Sequence, residues 1–129
     1  MMENKTIRKE ALNWFRSKFE TKSDEIYTSK FYTPKESWNN SRVWFFQIPL
    51  DVIYSPVAKK IHLICENHLK GEPFIYFKVS SLFFLKNLKS FDVDQKEKVV
   101  RIYLSAEAVN MFTEVRGKGK IEFKAFRII

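Results

Sequence analysis

The stretch SPVAKKIHLICENHLKGEP, residues 55–73, decides how this chain is read. Ser55 can cap free amide groups, and Pro56 at a first helical position sacrifices no hydrogen bond. Val57, Ile61, Ile64, Cys65, His68 and Leu69 then recur at helical spacing, with Lys59, Lys60, His62, Glu66 and Lys70 on the other side. Gly71 and Pro73 close the run. The spacing predicts a helix near 56–70.

Outward from this segment toward the C-terminus, residues 74–79 read as a strand, apolar on both sides and so expected at the centre of a sheet. Ser80 and Ser81 can cap a short helix over 82–88. A charged turn at 92–97 leads to a strand over 99–104, and Ser105 opens a second short helix to about Glu114. The basic turn 116–120 is followed by Ile121, Phe123 and Ala125, which alternate as a last strand.

Toward the N-terminus, residues 42–48 form a strand ended by Pro49. The polar connection 21–41 holds a short strand over 26–32, expected to pair with 42–48 as a hairpin. Residues 3–22 read as an amphipathic helix, with Ile7, Ala11, Trp14, Phe15 and Phe19 along one stripe. The expected fold is a single α+β domain over 1–129, with a mixed or antiparallel sheet of about four to five strands.

Composition agrees with one ordered domain. The 129 residues are 45% hydrophobic and 29% charged with only three glycines and four prolines, which excludes long low-complexity segments. Cys65 is the sole cysteine, so an intramolecular disulfide is impossible. The start lacks the apolar core of a signal peptide. The longest apolar run, 74–88, is interrupted by Lys78 and Lys86 and is shorter than the roughly 20 residues of a spanning helix. The expected setting is the reducing cytoplasm, with no membrane segment.

The net charge of +8 is concentrated at the two ends: residues 1–22 carry a surplus of +3 and residues 116–129 one of +4, while the middle is nearly neutral. If the ends meet, Lys5, Arg8, Lys9 and Arg16 would join Arg116, Lys118, Lys120 and Arg127 as one surface able to attract a polyanion.

Motifs for chemistry are weak. His62, Cys65 and His68 fall three apart, but structural zinc takes four ligands and no further His or Cys exists to complete the set. Asp92, Asp94 and Glu97 alternate like a calcium loop, yet Lys96 occupies a ligand position and the required glycine is missing. Arg116 to Lys120 lacks the glycine spacing of a P-loop, although its cations and amides could contact phosphate. A nuclease-like core would use Lys78 with an acid two positions earlier, where Tyr76 stands, and Asp51 is isolated. No catalytic residue, metal or other cofactor is therefore assigned.

Two binding roles follow. The leading one is a small non-catalytic, nucleic-acid-associated module that uses the basic ends, with Trp38 stacking on an unpaired base. The alternative is a protein-interaction module, an inhibitor or accessory subunit, docking through Trp38, Trp44 or Tyr54. A reduced or inactive nuclease core comes third. Strand order and oligomeric state are not legible from these residues.

Overall fold

The computed structural model describes residues 4–19 and 25–129 and places them in an α+β architecture of three layers. The first layer is helix α1, Asn4–Lys18. The second is a sheet of β1 (Ile26–Ser29), β3 (Lys60–Glu66) and β4 (Phe74–Ser80), in the order β1-β3-β4. The third is a sheet of β2 (Val43–Pro49), β5 (Asp92–Asp94) and β6 (Val99–Ser105), in the order β2-β6-β5. Short helices α2 (Leu50–Ile53) and α3 (Ser81–Lys86) follow β2 and β4 and pack against each other. No helix among the described residues is long and apolar enough to cross a membrane.

The apolar stripe of α1 does what its spacing requires: Ile7, Ala11 and Phe15 are buried against Ile26, Ile64, Phe74 and Tyr76 on one face of the first sheet. The opposite face of that sheet meets the second, where Ile61, Leu63, Cys65, Ile75 and Phe77 share a core with Trp44, Phe46, Ile48, Val100, Ile102 and Leu104.

The expected helix near 56–70 is instead the central strand β3. In a run as short as Ile61 to Cys65, helical and alternating periodicities cannot be separated, and tertiary burial decides. Ile61, Leu63 and Cys65 point into the inter-sheet core while His62 and Ile64 point under α1, so consecutive side chains are all buried, on opposite faces. Gly71, at φ 116°, serves the connection between β3 and β4 and not a helix end.

Other expectations shift for related reasons. β1 does not form a hairpin with β2; it runs parallel to β3, with Ile26 opposite His62. This pairing buries Ile26 beneath α1. The chain then crosses to the second sheet, touching back through the Tyr32–Val43 bridge and through the Phe45 amide, which donates to Ser29 Oγ at 2.8 Å. β4 ends its sheet and is not central. Its outer edge is covered by the C-terminus, since the Tyr76 amide donates to the Ile129 carbonyl and the Ile128 amide donates back to Tyr76.

α3 forms as read, with Ser80 Oγ accepting from the Leu82 amide. The helix expected from Ser105 shrinks to a single 3-10 turn, Ala108–Asn110, because Phe112 adopts φ 67° and folds back so that its amide donates to the Ser105 carbonyl. Its ring is buried between Trp44 and Phe77. The expected last strand yields isolated bridges, Thr113–Glu122 and Phe77–Arg127, flanking the 3-10 turn Lys124–Phe126. Phe123 and Phe126 both turn into the ring cluster with Phe83, and their spacing of three suits a tight turn better than an alternating strand. Ile129 packs in the cluster beneath α1, so the last residues and the first helix meet beside β4.

Candidate functional site

The outer face of the second sheet carries a continuous aromatic surface. Alternation along β2 sends Trp44, Phe46 and Ile48 inward and leaves Phe45 and Gln47 outside; along β6 it leaves Arg101 and Tyr103 outside. Phe45 and Tyr103 are register partners, and their rings stack 4.5 Å apart. Trp38, 49% exposed, leans on Tyr103 at 5.1 Å. The Arg116 guanidinium lies over both rings, 4.7 Å from Trp38 and 5.3 Å from Tyr103, and is held by Asp92 at 2.8 Å.

Two clefts run along this surface. One, of about 380 Å³, is lined by Tyr32, Glu36, Trp38, Phe45 and Tyr103. The other, of about 350 Å³, is lined by Arg8, Tyr27, Thr28, Tyr32, Phe45 and Gln47. They share Tyr32 and Phe45, so a single strip leads from Arg8 on α1 to Arg116 beyond β6. Arg8 is oriented by a hydrogen bond to the Ile26 carbonyl at 3.2 Å.

The loop presenting Trp38 is ordered by its own polar residues. Glu36 accepts from the Thr33 amide and hydroxyl and pairs with Lys30, which together hold its carboxyl down at about 2. Ser37 Oγ and Asn39 Oδ1 both accept from the Ser41 amide, and Asn40 turns at φ 57°.

Arg116 is positioned by a buried carboxylate. Glu114 accepts from the amides of Tyr103, Arg116 and Gly117, and its burial pushes its pKa up. A side chain at Gly117 would meet the Ser90 carbonyl oxygen at 2.1 Å, and one at Gly119 would meet the Ser90 Cβ at 2.4 Å. These glycines therefore serve close packing. Their amides donate to Glu114 and Ser90, so they are not available to cradle a phosphate.

The other residues singled out from sequence disperse. The Lys5 side chain lies outside the described residues. Lys9 and Arg16 are exposed on α1, and Lys118 and Lys120 are exposed beside Arg116. Arg127 stands over Phe112, 5.4 Å from its ring, in a separate cleft with His68 and Lys70. Trp44 is fully buried, its Nε1 donating to the Glu66 carbonyl at 2.9 Å, and cannot be a docking residue. Tyr54 is 56% exposed at the end of α2. Phe45, Tyr32, Tyr27 and Tyr103 join the strip only through the fold. Period-two alternation in β2 and β6 is the signal for Phe45 and Tyr103, but only the strand pairing stacks them.

Of the residues weighed for a metal or nuclease site, His62 and Cys65 face opposite sides of β3, the Cys65 thiol is pushed up by full burial, and His68 stacks on Phe31 at 3.9 Å. Asp94 accepts from the Lys96 and Glu97 amides and pairs with Arg101, closing a turn on itself. Among the described residues no three His, Cys, Asp or Glu side chains are grouped to hold a metal ion. Lys78 stands opposite His62, and Asp51 is exposed on α2.

Compared with known protein families, curated proteins and solved structures, the chain matches none at a significant level. Its function is accordingly read from the strip.

Proposed function

We propose that the chain is a non-catalytic module that binds unpaired nucleic acid along the strip from Arg8 to Arg116. One observation carries this reading: three outward rings, Trp38, Tyr103 and Phe45, are in contact across a sheet face, with a guanidinium over two of them. A row of rings on a sheet suits splayed bases, because every base has a flat face to stack, and a chain of net charge +8 attracts the phosphates.

The counter-reading is a protein partner. Arg116, Arg101 and Lys30 are already paired with Asp92, Asp94 and Glu36, which leaves the strip less cationic than its sequence suggests.

Fluorescence anisotropy with a single-stranded oligonucleotide at rising salt separates the two. Expected are binding at low salt that weakens as salt increases, and a loss of about tenfold or more on Trp38→Ala, as for one stacked base. If no oligonucleotide is retained at low salt, the nucleic-acid reading fails and the protein-docking one takes its place.

A further inference from the structure

We propose that a second site, the cleft between the last turn of α1 and strands β3 and β4, binds a phosphate-class anion through Lys60, Lys78 and His62. The cleft, of about 330 Å³, is lined by Phe15, Lys18, Phe19, Lys60, His62, Tyr76 and Lys78. It lies between α1 and the first sheet and shares no lining residue with the aromatic strip, whose rings lie on the outer face of the second sheet.

Strand geometry assembles it. Lys60 and His62 are two apart on β3 and share a face, and Lys78 is the direct register partner of His62 on β4. Both lysines are exposed and neither makes an ion pair among the described residues. Lys18 is committed elsewhere, to Glu72 at 3.1 Å.

His62 points to a ligand. It is only 4% exposed, yet its Nε2 is buried with no hydrogen-bond partner among the described residues. A buried polar atom left in that state is costly and is ordinarily satisfied. Nδ1 lies 2.6 Å from the Tyr76 hydroxyl. Burial pushes Tyr76 up to about 12, so the phenol keeps its proton and can donate it to Nδ1; an anion at Nε2 selects this tautomer, in which the ring proton sits on Nε2. Burial together with Lys78 and Lys60 lowers His62 to about 4, so the ring is neutral at pH 7. Of the remaining groups around it, the Glu25 carbonyl accepts the His62 amide, and the Glu25 carboxylate is engaged by Tyr27 and Lys59. Among the described residues the cleft lining offers one N–H donor, two uncommitted ammonium groups and no carboxylate, which suits an oxyanion.

The test is an NMR titration of the two histidine rings with inorganic phosphate at pH 7 and low salt. The expected result is a saturable shift of His62 with His68 unmoved, affinity weakened by about tenfold or more in K60Q/K78Q, and affinity unchanged in Trp38→Ala. Because both lysines are on the surface the double variant should fold; the single variants K60Q and K78Q give the same reading if it does not. An oligonucleotide without terminal phosphate, added in parallel, distinguishes the sources. A His62 shift with it assigns the site to nucleic-acid backbone, and a shift with inorganic phosphate alone assigns it to a free phosphate or phosphomonoester. Absence of a saturable shift up to about 20 mM phosphate, or equal affinity in the lysine variants, overturns the proposal. Since Trp38→Ala tests the strip and K60Q/K78Q tests this cleft, either can fail without the other.

Discussion

Trp38 and Trp44 lie six positions apart and meet opposite fates. Trp44 is on the inward phase of β2 and is enclosed, its one polar atom satisfied by Glu66; Trp38 stands on a loop whose hydrogen bonds hold it against Tyr103 of β6, on the outer face of the same sheet. Composition cannot distinguish them, because an aromatic ring suits a core and a docking surface equally. His62 is the other residue whose role changes with its surroundings. Its folded-state pKa of about 4 lies below the ordinary value near 6.5, so between these values the unfolded chain binds more protons than the folded one. Stability should be unaffected by this group above pH 6.5 and should fall as pH drops from about 6.5 to about 4, by on the order of 2 kcal/mol. Urea unfolding in phosphate-free buffer across that range measures it. His62→Gln should flatten the slope by that amount; an unchanged slope would show that His62 is not held neutral.

Among the elements, α1, β2, β4, α3 and β6 lie close to where their patterns place them, because each carries a stripe or an alternation long enough to reveal its period. β3 does not, since its side chains are buried on both faces and its ends carry the Lys and Glu that a solvated helix face would also carry. The strand assignment makes a definite claim about neighbours. Leu63 faces the inter-sheet core and Ile64 faces α1, so Leu63→Ala and Ile64→Ala should each destabilise the fold by about 2–4 kcal/mol. Denaturant midpoints measure both. A helix with one solvated side would not show the same large loss at two successive positions.

At the scale of the whole molecule, charge is where sequence and structure diverge most. The C-terminal residues do reach the first helix, through Ile129 against the α1 cluster, but the described cations of the two segments do not gather on one surface. Arg8 and Arg116 flank the aromatic strip, while Arg127 serves another cleft. Oligonucleotide affinity should therefore fall severalfold, with a shallower salt dependence, in Arg8→Gln and Arg116→Gln, and stay near its parent value in Arg127→Gln. Equal losses in all three would mean that binding follows net charge and not the strip. The sequence by itself determined an ordered α+β chain, its amphipathic first helix, the strand–Ser–helix of β4 and α3, and a cationic surplus near both ends. These rest on local periodicity, capping and composition, which act within a few residues. Only the tertiary structure decided that β3 is a strand, that Phe45 stacks on Tyr103 with Trp38 beside it and Arg116 over the last two, and that Lys60, Lys78 and His62 share a cleft. Each depends on strand register or on a contact between residues far apart in the chain, and local spacing carries no record of which partner a strand will find.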